Sequence, residues 1–275
     1  MTTQLLGYQA GDSWVHRLTG STKLVGFLAL TIAAMLSFDV RYLFGLAVLT
    51  IIVLVSTHVK WQQIAVFVYA VLLFAGLNLL LIYVFAPQYG VSLFGSQHVI
   101  LGSGDYALTQ EQLLYESIVA LKYMVSLPMA LLFLLTTNPS EFAAGLNKIG
   151  ISYRVAYAFA LTLRYIPDVQ NEYQMISYAQ QARGFDVGKS APIKQRITNA
   201  VRVVMPLVLS SFARIDEISR AMALRRFGLK KRRTWYYDQQ FKRLDWAVLI
   251  GIIGIVSVAL ILVIYTGSRY YNPLQ

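Results

Sequence analysis

The chain contains no cysteine, and charged residues make up only 13% of its 275 residues. Without cysteine there can be no disulfide, no thiolate metal site and no cysteine nucleophile. Ordinary soluble domains contain about 25% charged residues. This chain has half that share and 57% hydrophobic residues, so we expect an integral membrane protein. The first twenty residues lack a basic segment followed by an apolar run, so no cleavable signal peptide is expected.

Sequence motifs that carry chemistry are also missing. His16, His58 and His98 lie in separate loops, and neither a His-x-x-x-His pair nor a carboxylate cluster occurs. No Gly-x-x-x-x-Gly-Lys-[Ser/Thr] loop is present, so the chain is not expected to bind a nucleotide itself. We therefore expect no catalytic residues, no metal site and no cofactor bound by this chain.

Five apolar runs predict an all-α fold with about five transmembrane helices. They are residues 24–38, 42–57, 64–86, 113–135 and 246–265. The first two runs are shorter than the ~20 residues that a perpendicular membrane helix needs, and a buried helical hairpin is the alternative for them. Lys122 lies inside the fourth run, where it is expected to snorkel to the interface or to face a neighbouring helix.

Basic residues are concentrated in one part of the chain. Residues 148–243 hold 18 of the 24 lysines and arginines, whereas the loop around Asp105 holds none. By the positive-inside rule, the basic block and the N-terminus are cytoplasmic in a multi-pass protein of the cell membrane. The net charge of +11 therefore indicates membrane topology and not a nucleic-acid partner.

The runs and charges together predict four regions. Residues 1–23 form a cytoplasmic N-terminal segment, and residues 24–137 form a four-helix transmembrane region. Residues 138–243 form a cytoplasmic domain of amphipathic helices at the membrane interface, and residues 244–275 form the last transmembrane helix and an external C-terminus. The basic sequence KKRR at 230–233 suits anionic lipid headgroups or simple anchoring before the last span.

One ten-residue phrase occurs twice in the basic block. ISYAQQARGF at 176–185 returns as ISRAMALRRF at 218–227, with five of ten positions identical. Each copy is typical of a helix end. Gly184 is expected to end the first helix, whereas the second is expected to run on to Phe227 or Gly228. The identical Ile, Ala and Phe favour a docking role for Arg183 and Arg225; the alternative is that both are cations favoured by the helix dipole.

Helix signals surround both copies. The sequence NPSE at 138–141 predicts an N-cap, a first-turn proline and a glutamate placed for a capping box. A helix from Ile151 is expected to stop at Pro167, after which an apolar stripe continues into the first copy. Residues 193–224 form a long amphipathic stretch that Pro206 should bend or break. Pro206 is therefore a possible hinge, or a residue that merely fits this helix to its neighbours.

At these residues the sequence resembles the transmembrane T subunit (EcfT) of energy-coupling factor transporters. That family carries two Ala-Arg-Gly-type motifs at the ends of cytoplasmic coupling helices. The first motif here is Ala182, Arg183 and Gly184, and the second corresponds to Leu224, Arg225 and Arg226. Further similar stretches are HRL at 16–18, TKL at 22–24, TTNP at 136–139 and LRYIP at 163–167. The second motif departs from the pattern, and TGS at 19–21 replaces the usual Asp-Pro-Arg.

The resemblance implies a coupling subunit without catalytic activity of its own. T subunits join two cytoplasmic ATP-binding cassette ATPases, here expected as a heterodimer carrying ATP and magnesium, to a small membrane substrate-binding S subunit. Arg183 would dock on one ATPase and Arg225 or Arg226 on the other, with the repeat favouring Arg225. The expected function is uptake of a vitamin or another micronutrient. The alternatives are a permease subunit of a cobalt, nickel or other importer, and a non-transport membrane scaffold.

Overall fold

Helices account for most of the regular structure. The computed structural model describes residues 11–102, 104, 106–185, 192–229, 234–235 and 239–266. In chain order these hold α1 (Gly20–Leu36), α2 (Val40–Ser56), α3 (Trp61–Phe85), α4 (Tyr89–Phe94), β1 (Val99–Leu101), β2 (Leu108–Thr109), α5 (Gln110–Thr136), α6 (Pro139–Lys148), α7 (Tyr153–Ala182), α8 (Ile193–Leu224) and α9 (Arg243–Thr266). The two short strands pair with each other in one antiparallel hairpin, and the predicted all-α fold class is confirmed.

Among the described residues, three helices are long and apolar enough to cross a membrane. They are α3 over Ile64–Phe85, α5 over Gln110–Thr136 and α9 over Arg243–Ile264. Helices α1 and α2 are apolar but have only 17 residues each. The predicted basic patch at 230–233 and the predicted external residue Asp105 lie outside the described residues.

The chain forms two compact units, and the first comprises residues 1–145 and 239–275. In this unit α5 packs against α1, α2, α3 and α4, while α9 packs against α1. The largest fully buried apolar side chains are Leu43, Ile118, Leu131, Leu135 and Val125. Lys122 faces a neighbouring helix: its Nζ donates to the Met35 carbonyl at 3.0 Å and lies 3.5 Å from the centroid of the Phe38 ring.

A buried carboxylate joins the starts of α1 and α9. Thr19 is the N-cap of α1, and its hydroxyl accepts a hydrogen bond from the Thr22 N–H. Asp245 Oδ1 accepts hydrogen bonds from the Thr19 N–H at 2.9 Å and the Thr19 hydroxyl at 3.0 Å. Asp245 Oδ2 accepts from the Lys242 N–H at 2.8 Å. Since Thr19 and Asp245 are 1% and 0% exposed, these bonds replace water for both groups.

Lys23 joins α1 to the corner between α5 and α6. Its Nζ donates to the Thr136 carbonyl at 2.7 Å and lies 3.6 Å from Glu141 Oε2. Asn138 caps α6 as predicted, because its side chain accepts from the Ser140 N–H at 3.0 Å. The Glu141 carboxylate, which the sequence placed in a capping box, instead contacts Lys23 and accepts from Gln239 Nε2 at 3.1 Å.

The second unit, residues 146–238, is built on an antiparallel pair of long helices. Helix α7 has 30 residues and α8 has 32, and both continue through an internal proline. The predicted stop at Pro167 is therefore wrong, and Pro206 does not break α8 in two. Glu172 of α7 accepts a hydrogen bond from the Arg214 guanidinium of α8 at 2.8 Å, which ties the middle of the pair together.

Candidate functional site

The first copy of the repeated phrase ends α7 in a Schellman motif. Arg183 is the C-cap residue, and Gly184 follows it with a φ of +84°. The Phe185 N–H donates to the Gln180 carbonyl at 3.0 Å, and the Gly184 N–H donates to the Gln181 carbonyl at 2.9 Å. These two bonds satisfy carbonyls that the helix end would otherwise leave without a partner. The prediction that Gly184 ends this helix is confirmed.

The second copy ends α8 in the same motif. Arg225 is the C-cap residue, the Phe227 N–H donates to the Met222 carbonyl at 3.0 Å, and the Arg226 N–H donates to the Ala223 carbonyl at 3.0 Å. Arg226 has a φ of +55°, so it takes the left-handed conformation that Gly184 takes in the first copy. A residue with a Cβ in this conformation costs about 1–2 kcal/mol.

The second helix therefore ends sooner than the sequence predicted. Because α8 closes at Leu224, it does not run on to Phe227 or Gly228. The two phrases match position by position in backbone geometry as well as in sequence. Arg225, and not Arg226, holds the same place as Arg183.

Both motifs are exposed at the ends of their helices. Ala182, Arg183 and Gly184 are all exposed, as are Arg225 and Arg226. Leu224, which stands where the first copy has Ala182, is 87% exposed. A guanidinium group presents five donors in a fixed fork and stays charged, so it suits a carboxylate or a row of backbone carbonyls. Each end thus presents an exposed cation next to a fixed helix terminus.

The phenylalanine shared by the two copies anchors each helix end. The Arg202 guanidinium of α8 lies 4.0 Å from the centroid of the Phe185 ring. The Phe227 ring lies 4.6 Å from the ring of Tyr157 and 5.6 Å from that of Tyr153, between centroids. An apolar residue at this place is a usual part of the Schellman motif. The identical phenylalanines therefore have a structural cause, and they do not by themselves favour docking as the sequence argument assumed.

These anchors place the two arginine-bearing ends at opposite ends of the helix pair. Phe185 packs near the start of α8, whereas Phe227 packs on Tyr153, the first residue of α7. At 1.5 Å per residue, the helix lengths between these contacts separate the two ends by on the order of 40 Å. One helix pair thus carries two similar cationic ends that a single small groove cannot bind together.

Pro206 contributes to a contact between α7 and α8. A proline has no N–H, so the carbonyl four residues earlier, that of Arg202, loses its usual helical partner. Gln180 Nε2 of α7 donates to this carbonyl at 3.3 Å. The first repeated phrase therefore touches α8 at the point where Pro206 frees a backbone acceptor. A hinge at Pro206 remains a prediction.

We expect Gln180→Met, which copies Met222 of the second phrase, to weaken the contact between α7 and α8. The Arg202 carbonyl would lose its donor, at a cost of about 0.5–1.5 kcal/mol in the free energy of unfolding. In a Pro206→Ala background the alanine N–H can bond this carbonyl, so the same substitution should cost less. A double-mutant cycle measured by denaturant unfolding in detergent checks this coupling.

The control for that cycle is Gln181→Met. Gln181 Nε2 bonds the Ser177 hydroxyl within α7, so its loss should not depend on residue 206. Equal effects of Gln180→Met in both backgrounds would contradict the role given to Pro206.

An apolar groove lies between residues 161–170 of α7 and residues 211–222 of α8. It encloses roughly 490 Å³. Its walls include Leu161, Tyr165, Ile166, Ile215, Ile218 and Met222. Ile218 and Met222 belong to the second repeated phrase, so this groove extends to the helix that carries Arg225.

Sequence reasoning missed Gln180 and Arg202 as contributors to the first end. Gln180 could have been found from the sequence, because the matching position of the second copy has Met222, which cannot donate the same hydrogen bond. Within the part of the chain that the structure describes, no group of three or more histidine, aspartate or glutamate side chains is placed to hold a metal ion.

Comparisons with known proteins cover nearly the whole chain. A protein-family model described as CbiQ, Cobalt transport protein, matches residues 11–236. The "Energy-coupling factor transporter transmembrane protein EcfT" of Lactococcus lactis is 27% identical over 271 residues, 95% of this chain and 98% of the relative. The protein of the same name from Bacillus subtilis is 26% identical, covering 94% and 97% of the two chains. That from Heliobacterium modesticaldum is 29% identical, covering 89% and 91%.

Proposed function

Since this chain belongs to the CbiQ family of cobalt transport proteins, we propose that it is the transmembrane T subunit of an energy-coupling factor transporter. Proteins with that name are similar to this chain over nearly their full length. The apolar helices α3, α5 and α9 give it the membrane region that such a subunit needs. In this proposal the subunit lies in the cell membrane, with α7 and α8 on the cytoplasmic side.

The two arginine-bearing helix ends carry the proposal for coupling. We propose that Arg183 docks on one ATP-binding cassette ATPase and Arg225 on a second. The supporting observation is that one helix pair presents two matching cationic ends on the order of 40 Å apart. ATP binding and hydrolysis, with magnesium, belong to the partner ATPases. Movement of the ATPases relative to each other would shift the two ends and so move α7 and α8.

The groove between α7 and α8 is the proposed contact for the substrate-binding S subunit. Its lining is largely apolar, and an apolar helix face of a partner fits such a lining. The transported substrate is proposed to be a vitamin or another micronutrient, on the resemblance to T subunits alone. Cobalt uptake is the second candidate, because the matching family is described as a cobalt transport protein.

Cysteine cross-linking tests the proposal directly, because the chain has no native cysteine. Ala179 and Ala221 hold matching places in the two copies, and both are exposed. Single variants Ala179→Cys and Ala221→Cys, cross-linked in native membranes, should each capture a protein with a nucleotide-binding P-loop. Thr162→Cys in the groove should instead capture a small membrane protein.

Val66→Cys is the control for non-specific capture. Val66 is 66% exposed on α3, in the first unit, and should yield neither ATPase. Recovery of no ATPase from Ala179→Cys and Ala221→Cys would reject the coupling role and leave a membrane scaffold as the better description.

A further inference from the structure

The two helix ends differ at one backbone position of the same motif. Gly184 and Arg226 both have positive φ values, +84° and +55°. Glycine adopts this conformation without steric cost, whereas a residue with a Cβ is disfavoured there. The first copy shows that glycine suffices to end such a helix. An arginine kept in a disfavoured conformation where glycine suffices indicates a role for its side chain.

The two ends also differ in charge. Residues 176–185 contain one arginine, whereas residues 218–227 contain Arg220, Arg225 and Arg226, all of them exposed. Arg225 already matches Arg183, so Arg226 is an additional guanidinium group beside it. The second end thus offers two adjacent forks of hydrogen-bond donors where the first end offers one.

We propose that Arg226 makes the second helix end selective for a different ATPase subunit from the one that binds the first end. This inference rests on the proposed docking of both ends on ATPases. The groove that takes the second end has an additional carboxylate, which pairs with the Arg226 guanidinium in a bidentate manner. The groove that takes the first end lacks that carboxylate and faces Gly184.

Exposed polar contacts of this kind affect partner choice more than total affinity. In the cognate groove, the additional Arg226 cation meets a carboxylate, which favours binding there. In a groove without that carboxylate, the cation would be desolvated without gaining a partner, which disfavours binding. The first helix end has neither this gain nor this cost, because Gly184 has no side chain. One residue can therefore determine which end of the helix pair binds which of two different ATPases.

The matched cysteines test this selectivity in the complete complex from native membranes. Ala179→Cys and Ala221→Cys should cross-link to different ATPase polypeptides, identified by mass spectrometry. Arg226→Gly should lower the ratio of cognate to non-cognate product at Ala221→Cys about tenfold or more, because one charge-assisted hydrogen bond is worth about that factor and the bidentate pair makes two. The ratio at Ala179→Cys should change much less.

Two further variants separate the side chain from the backbone. Arg226→Asn tolerates the left-handed conformation but has no charge, so it should behave like Arg226→Gly. Arg226→Lys keeps the charge without the fork and should recover part of the selectivity. A purely structural role for residue 226 predicts instead that glycine and asparagine change nothing.

The possible failures can be told apart. Capture of the same ATPase polypeptide at both ends, or an unchanged ratio in Arg226→Gly, overturns the selectivity of Arg226 and leaves the docking proposal standing. Absence of any ATPase at either cysteine overturns the docking proposal and this inference together.

Discussion

Replacing Lys23 by methionine is expected to cost about 3–5 kcal/mol in the free energy of unfolding, the range for removing one partner of a buried ion pair. Methionine has a similar length but no donor. The Thr136 carbonyl would lose a hydrogen bond of 2.7 Å, and the Glu141 carboxylate would lose a cation 3.6 Å away. The Lys23 and Glu141 side chains are 4% and 11% exposed, so water cannot easily replace the ammonium group.

The matched control is Lys60→Met. Lys60 is exposed and its side chain makes no cap hydrogen bond at the start of α3, and such surface substitutions usually change stability by less than about 0.5 kcal/mol. Unfolding of the detergent-solubilised variants by increasing SDS measures both effects. If Lys23→Met lost no more stability than Lys60→Met, the buried pair would not hold the corner between α5 and α6.

Combining Lys23→Met with Glu141→Gln should recover part of the loss. The double variant removes the unpaired carboxylate that makes the single variant costly, so its effect should be smaller than the sum of the two single effects. This coupling distinguishes an ion pair from two side chains that merely pack near each other. It also indicates whether Lys23 acts mainly on Glu141 or on the Thr136 carbonyl.

The sequence predicted the long apolar helices well because their signal is local. The run at 64–86 became α3 at Trp61–Phe85, and the run at 246–265 became α9 at Arg243–Thr266. An uninterrupted apolar stretch bounded by polar residues fixes a membrane helix without reference to the rest of the chain. The start of α6 at Pro139 follows from the same kind of local signal, the cap of Asn138.

The helix ends in the second unit were harder because two local rules gave the wrong answer. Proline was expected to stop α7 and to bend or break α8, but both helices continue through their prolines. A helix can lose one backbone bond when a partner takes the freed carbonyl. At Pro206 that partner is Gln180, 22 residues from the carbonyl of Arg202. Glycine was expected to end α8, yet Arg226 adopts the left-handed conformation. The position-by-position repeat was the better guide, since it aligns Arg226 with Gly184.

The buried polar contacts of the first unit were beyond sequence reasoning. Asp245 bonds Thr19 across 226 residues, and Lys23 bonds the Thr136 carbonyl across 113. Nothing local to Asp245 distinguishes it from an ordinary first-turn aspartate at a helix start. TGS at 19–21 departs from the usual Asp-Pro-Arg of the family, and in this chain Thr19 caps α1 and donates to the Asp245 carboxylate. Gly20 allows close approach, because a Cβ there would lie 2.5 Å from the Glu141 carbonyl oxygen.

Reversing the charge of Arg183 and Arg225, the two arginines proposed to dock on the ATPases, is expected to have the largest functional effect. Loss of one partner in a buried, hydrogen-bonded charge pair at an interface costs about 2–5 kcal/mol, and the proposed docking would bury each of these guanidinium groups in a groove. Arg183 and Arg225 lie on the order of 40 Å apart, so their effects should add. Arg183→Glu with Arg225→Glu should therefore lower the affinity for the ATPases about a thousandfold or more.

The single reversals should behave differently from the double one. Two ends that bind one ATPase pair hold it by avidity, so one intact end can keep the complex together. Arg183→Glu or Arg225→Glu alone should then reduce transport while ATPases still co-purify. The double variant should lose both co-purification and ATP-dependent uptake.

Arg164→Glu with Arg196→Glu provides the matched control. Both residues are exposed, one on α7 and one on α8, and the change in net charge is the same as in Arg183→Glu with Arg225→Glu. Normal assembly in this control shows that charge alone does not disrupt the complex. Only Arg183→Glu with Arg225→Glu places carboxylates beside the two Schellman motifs. Wild-type assembly and uptake in that double variant would therefore refute docking through the repeated phrase. Arg183 and Arg225 would then be ordinary helix-end cations, each worth about 0.3–1 kcal/mol to its own helix.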